Sequence, residues 1–172
     1  MKNDNKDDLM LEFTENPDYK RSRFSACDLE GCGVETSPPE WQALVDFYDK
    51  TNGDFWINNY KWKQGDPCIE NWYGVQCNKY GNVISLHFFE NSLDGVIPDS
   101  IKNLKYLIYF NIFNDNWEYE YTDNYKRNTI YQWNKNIHQI SSLEEINFVN
   151  LDMTGFLDSS LNNLRKLKKL NL

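Results

Sequence analysis

Histidine is scarce in this chain: His87 and His138 are the two among 172 residues. The sequence also lacks G-x-S-x-G, H-E-x-x-H and a phosphate-binding loop, and Gly31-Cys32-Gly33 stops short of a full G-x-G-x-x-G. His87 falls between Leu86 and Phe88, so on a strand it points outward, where a contact residue is expected before a catalyst. Glu144 and Glu145 are consecutive, which sends their carboxylates to different sides rather than into an acid–base pair. No reaction can be written from these parts. The chain is read as a non-enzyme with no catalytic residue and no cofactor.

Positive charge is short too. Eighteen Lys and Arg face 26 Asp and Glu, a net charge of −8, which argues against a nucleic-acid partner, since phosphate backbones attract basic surfaces. The one basic run, Arg165-Lys166 and Lys168-Lys169, alternates with Leu164, Leu167 and Leu170 and reads as the solvated side of a folded unit. No apolar run reaches the ~18–20 residues of a membrane span, and none resembles a signal peptide. Asparagine is abundant, yet no N-x-Ser/Thr acceptor occurs, which counts against secretion. Residues 1–36 carry Asp4, Asp7, Asp8, Glu12, Glu15 and Asp18 without apolar periodicity and read as a flexible acidic tail. The four cysteines form two local pairs, Cys27/Cys32 and Cys68/Cys77. Their C-x4-C and C-x8-C spacings do not suit a zinc knuckle, so no metal is expected.

What the chain does have is a repeat. Residues 83–104 read L-x-F-x-x-N-x-L-x-G-x-I-P-x-x-I-x-x-L, from Leu86 and Phe88 through Asn91, Leu93, Gly95, Ile97, Pro98 and Ile101 to Leu104. The leading pair recurs as Phe110/Ile112, Ile146/Phe148 and Leu170/Leu172, at steps of 24, 36 and 24 residues. The long step is one period plus a 12-residue insertion, placed near residues 121–140. Each pair sits on one face of a short strand with its neighbours facing out. Asn91 can satisfy backbone groups left open by the turn, and Ile101, Leu104 and Leu107 return the chain across the core. No unit buries its apolar face alone, so stability comes from stacking, and such arrays bind partners more often than they catalyse.

This pattern resembles the plant-type leucine-rich-repeat family. The upstream residues strengthen the match: Trp41, Thr51-Asn52-Gly53, Trp56, Trp62, Gly65-Asp66-Pro67-Cys68 and Trp72-Tyr73-Gly74-Val75-Gln76-Cys77 are similar to that family's N-terminal cap. The resemblance covers roughly residues 38–117 and 143–172. It departs in repeat two, with Asp115 at the asparagine position, Trp117 at the next leucine, and Tyr119 and Tyr121 where glycine and isoleucine belong. Repeat three has Leu151 at the asparagine position, with Asn150 one residue early, and Asp158 for proline.

The resemblance implies an α/β solenoid, a right-handed leucine-rich-repeat superhelix with one short parallel strand per repeat. The expected layout is an acidic tail (1–36), a helical N-terminal cap (37–82) and about three and a half repeats (83–172). It implies a disulfide between Cys68 and Cys77 and leaves Cys27 and Cys32 open. The cap helix should start at Thr36-Ser37 with Pro38, Pro39 and Glu40, bury Trp41, Leu44, Val45 and Tyr48, and stop at Gly53. Trp56, Trp62 and Trp72 are expected as core over the first repeat in preference to a sugar-binding platform. Tyr125, Tyr131 and Trp133 read equally as a partner-binding loop or as rings folded onto the next coil.

The outward residues of the stacked strands form the candidate concave face: Ser85, His87, Phe89 and Glu90, then Tyr109, Asn111, Phe113 and Asn114, then Glu145, Asn147 and Val149, then Lys169 and Asn171. Phe89, Tyr109 and Phe113 are the expected anchors. The family resemblance implies a protein or peptide ligand, with a glycan as a further option, bound by a recognition module. The alternative is the ectodomain of a receptor-like kinase in signal transduction, with catalysis elsewhere. The cap favours an extracellular or cell-surface location, and a cytoplasmic one is the alternative. The last strand ends without a polar cap, so the expectation is a fragment of a longer protein.

Overall fold

The computed structural model describes residues 34–115, 127–155, 157 and 159–172. Residues 1–33 of the acidic tail, with Cys27 and Cys32, and Trp117, Tyr119, Tyr121, Tyr125 and Asp158, lie outside the described residues.

The 24-residue period becomes a parallel sheet. Strands β2 (Val83–Phe89), β4 (Tyr109–Phe113), β6 (Glu145–Val149) and β7 (Lys169–Asn171) lie side by side, and β1 (Val75–Cys77) adds an antiparallel edge. Register follows the apolar pairs: Leu86, Phe110, Ile146 and Leu170 align, as do Phe88, Ile112 and Phe148. A one-residue slip would turn every one of these side chains outward, which is why the pairs specify the register. Behind each strand the chain returns through a short 3-10 turn, at Asp99–Asn103, Lys135–Gln139 and Ser159–Asn163. These turns bring Ile101, Leu104 and Leu107, then Ile137, Ile140 and Leu143, into the core without exposure. A small second sheet on the return side pairs β3 (Asp94–Gly95) with β5 (Thr129–Ile130), and a bridge from Gln132 to Thr154 extends it.

Helix α1 (Pro38–Lys50) closes the first coil. It buries Glu40, Ala43, Leu44, Phe47 and Tyr48, while Trp41 and Val45 are half-buried, so the stripe lies slightly round from the expected one. Prolines occupy its first turn, where their missing N–H groups leave no helix bond unmade. Ser37 is the N-cap residue, but its hydroxyl bonds no backbone amide; it donates to Glu40 Oε2 at 2.9 Å. Glu40 Oε1 in turn accepts from Val83 N at 3.2 Å, tying the helix to the start of β2. Burial pushes the Glu40 carboxyl above the usual range, against the pull of these two hydrogen bonds.

Gly53 does not end the helix. The left-handed residue is Asn52, at φ 60°, and Gly53 instead lies under the Tyr48 ring, where a Cβ would come within 2.3 Å of ring carbons. The helix's terminal carbonyls are satisfied by the first repeat: Val96 N donates to Lys50 O and Asp94 N to Thr51 O, both at 3.0 Å. That approach demands Gly95, at φ 154°, because a Cβ there would stand 1.9 Å from Lys50 O.

Trp56, Trp62 and Trp72 are buried and packed ring against ring with Phe47 and Phe88. Their faces are used up by the core, so they offer no platform to a sugar. A disulfide joins Cys68 to Cys77, with Cα atoms 5.6 Å apart.

The extra residues of the long step fall earlier than expected. Asp94 pairs with Thr129 and Gly95 with Ile130, so the repeat pattern has already resumed by residue 129. Ile130, Trp133, Ile137 and Ile140 are all buried, with Trp133 packed on Phe148 and donating from Nε1 to His138 Nε2 at 3.1 Å. Trp133 is therefore core rather than a partner-binding ring, whereas Tyr131 is exposed and bonds Asp94 through its hydroxyl. The surplus lies between Phe113 and Asn128, a shift that the aromatic residues on both sides of Arg127 conceal.

Candidate functional site

The outward side chains of the sheet stand in three rows. Ser85, Tyr109, Glu145 and Lys169 form the first; His87, Asn111, Asn147 and Asn171 the second; Phe89, Phe113 and Val149 the third. In the third row the Phe89 and Phe113 rings lie 5.1 Å apart, and Phe113 also meets the His87 ring edge-on at 5.2 Å. Cross-strand packing of this kind is the sheet's counterpart of a helix i,i+4 pair, and it holds these rings in fixed positions. The first row is electrostatic: Tyr109 is 42% exposed, and Lys169 reaches Glu145 at 3.3 Å while Lys168 reaches Glu144 at 2.7 Å.

Not every residue expected on this face is open to it. Ser85, Asn111 and Glu145 are buried, and Phe89, Phe113, Asn147 and Val149 are partly covered. Asn114 is a correction. It turns into the coil, accepting from Asn128 N at 2.7 Å and donating to Asn128 O and Asn150 O. Asn114 follows Phe113 directly, so the alternation that turns Tyr109, Asn111 and Phe113 outward turns it inward at the strand's end. Its counterpart Glu90 does stay at the rim, at φ 42°, accepting from Asp115 N at 3.3 Å.

The asparagine ladder is fuller than the motif suggested. Asn91 exchanges bonds with the backbone of Asn58, while Asn128 accepts from Asn91 N and Leu93 N and donates to Phe88 O and Phe113 O. Asn150 then donates to Asn114 O and Asp115 O. Neither Asp115 nor Leu151 takes the ladder position. Asn128 was missed because the inserted residues move it out of the 24-residue count. Gln76 of β1 and Gly74 just before it were missed as well: Gln76 pairs with Ser85 at the edge of the face, and Gly74 O accepts from His87 N at 2.9 Å. A Cβ on Gly74 would meet His87 O at 2.7 Å, so the edge fits only with glycine there.

Burial pushes the His87 imidazole down to about 4, so it is neutral near pH 7. Burial likewise raises the Tyr73 phenol. Among the described residues no group of three or more His, Cys, Asp or Glu could hold a metal, and no helix is long and apolar enough to cross a membrane.

A parallel sheet with one strand per repeat, a return turn per repeat and an asparagine ladder defines a leucine-rich-repeat solenoid. In repeat pattern and fold, the chain is similar to plant leucine-rich-repeat proteins. No protein-family model matches it. Two Arabidopsis thaliana proteins are similar to segments of it. A probable leucine-rich repeat receptor-like protein kinase is 37% identical over 46 residues, 27% of this chain and 5% of that protein. MDIS1-interacting receptor like kinase 1 is 46% identical over 52 residues, 30% of this chain and again 5% of the relative. Solved structures share the fold more broadly. A plant ice-binding protein matches at TM-score 0.59, 20% identical, over 80% of this chain and 41% of its own. The ectodomain of the Arabidopsis thaliana receptor kinase SOBIR1 matches at 0.58, 18% identical, over 81% and 68%. PEPR1 in PEPR1-AtPEP1 matches at 0.56, 18% identical, over 77% and 17%. At these identities the structural matches speak for the fold alone.

Proposed function

We propose that this chain is a peptide- or protein-recognition module whose ligand lies on the concave face of the solenoid. The observation that carries the reading is the row of Phe89, Phe113 and Val149 set beside the polar row of His87, Asn111 and Asn147. Packed aromatic side chains lose little freedom when a partner covers them, and interface hot spots concentrate on such rings beside polar groups that fix orientation. Tyr109, projecting from the adjacent row, completes the anchor. Residues 37–82 serve as the N-terminal cap of a right-handed superhelix, and the acidic residues 1–36 precede it. The module itself catalyses nothing. Kinases among its sequence relatives favour a second reading, in which it is the ligand-binding ectodomain of a receptor-like kinase at the cell surface. The full-length transcript separates the two, since a membrane span and a kinase region downstream would establish the second.

The binding reading is tested by selecting random displayed peptides on the folded chain. Combined Phe89→Ala, Tyr109→Ala and Phe113→Ala should weaken the selected peptides at least about thirty-fold, the equivalent of a ~2 kcal/mol hot spot. Phe55→Ala, a ring 74% exposed on the cap, should leave them bound. Retention by the triple variant, with its circular dichroism unchanged, overturns the reading.

A further inference from the structure

Asn111 carries a polar atom with an unfinished environment. It lies on β4 between the core residues Phe110 and Ile112, with His87 opposite on one side and Asn147 on the other. It is only 8% exposed, and its Oδ1 has no hydrogen-bond partner. One strand further along the row the same chemistry is complete, as Asn171 Nδ2 donates to Asn147 Oδ1 at 2.8 Å. A buried amide oxygen without a donor costs free energy that a leucine of similar size avoids, and native interiors leave few such atoms unpaired. Asn111 shares its strand face with Phe113 two residues on, whose ring touches both Phe89 and His87.

We propose that Asn111 is the register-setting anchor of the face, accepting at Oδ1 a main-chain N–H of a bound peptide whose adjoining apolar side chain rests on Phe89, Phe113 and Val149. This rests on the reading of the face as a ligand site. The geometry favours one anchor over a ladder of equivalent contacts. Neighbouring strands are about 4.8 Å apart, whereas an extended peptide presents N–H groups to one side every two residues, roughly 6.7 Å. A peptide crossing the strands therefore cannot engage each amide of the row in turn. Asn147 Oδ1 is moreover already occupied. The neutral imidazole of His87 places no cation next to the incoming donor.

The test uses the folded chain and the peptides selected on it. Asn111→Leu removes the acceptor and should melt higher than the parent while binding a selected peptide about tenfold more weakly. Asn111→Asp keeps the acceptor and should bind within a few-fold of the parent. Methylating the peptide's main-chain nitrogens one at a time should expose a single position that weakens binding to the parent about tenfold and leaves binding to Asn111→Leu unaltered. Unchanged affinity of Asn111→Leu, a lower melting temperature for it, loss of binding by Asn111→Asp, or no such coupled nitrogen each overturns the proposal. In those cases, loss of the same peptide by the Phe89/Tyr109/Phe113 variant keeps the recognition reading standing. A peptide retained by that variant overturns the recognition reading itself.

Discussion

The two ends of the described solenoid are built on different principles. At the N-terminal end α1, four packed aromatic rings and a disulfide cover the first coil, and Phe47 touches Phe88 at 5.5 Å and Phe110 at 6.2 Å, reaching two repeats at once. At the other end Leu161, Leu167 and Leu170 are only partly buried, and Leu157 and Leu172 are 45% and 53% exposed beside Trp133, Phe148 and Leu151. A repeat contacts only its neighbours, so its stability depends on what lies on either side of it. Among the described residues, the packing behind the sheet is closer at β2 and β4 than at β7.

Removing the ring that spans two repeats should have the largest effect. Phe47→Ala is expected to cost about 3–5 kcal/mol, whereas Leu167→Ala at the open end should cost about 1 kcal/mol, both from urea unfolding. Comparable losses would erase the contrast between the ends. Asn128→Ala comes next, at about 3 kcal/mol, because it strands the amides of Asn91 and Leu93 and takes one donor each from the carbonyls of Phe88 and Phe113, the latter keeping Glu90 N. Hydrogen exchange should then rise at Asn91 and Leu93 ahead of the residues around Phe47; a uniform rise would mean the ladder does not partition the stack. Reducing the Cys68–Cys77 bond closes a smaller gap, about 2–3 kcal/mol by loop entropy. Melting curves with and without reductant measure it, and identical curves would show that the aromatic packing suffices alone.

Acid should give the smallest effect. His87 is held neutral in the fold down to about pH 4, while in the unfolded chain it takes a proton from about pH 6.5 downward. Its contribution is therefore complete above pH 6.5 and declines as pH falls towards 4, by roughly 1–2 kcal/mol once its partial contact with water is allowed for. His87→Gln should flatten this part of the pH–stability curve. An unaltered slope in that variant would place the acid sensitivity in another group.

Much of this architecture was legible in the residue pattern. Leu86/Phe88, Phe110/Ile112 and Ile146/Phe148 announce both the strands and their register, because a strand exposes every second residue and the stack aligns equivalent ones. The cap tryptophans were legible as core for the same reason, since an array needs its first coil covered. What stayed hidden was set by contacts the linear count does not carry. Asn128 belongs to the ladder through bonds to Phe88 and Phe113, yet the residues before it remove it from the period. Asn114 was counted with the outward row beside Phe113, although alternation turns consecutive residues to opposite sides and buries it. Trp133 read equally as a loop aromatic or as a ring folded onto the next coil, and its burial against Phe148 decides for the second. On the candidate face, Phe89 and Phe113 were legible as partners from their spacing, while the unpaired oxygen of Asn111 needed three dimensions.

The bonds between Asn114 and Asn128 carry a further meaning. Asn128 N meets Asn114 Oδ1 at 2.7 Å and Asn114 Nδ2 meets Asn128 O at 2.9 Å, so two points 14 residues apart are fastened together at the border of the sheet. The fastening acts as a splice. Coil geometry on either side is set by the two asparagines rather than by the length of chain between them, and doubling that length would add only about 0.6 kcal/mol of closure entropy. Residues added or removed between the two asparagines therefore need not put later coils out of phase.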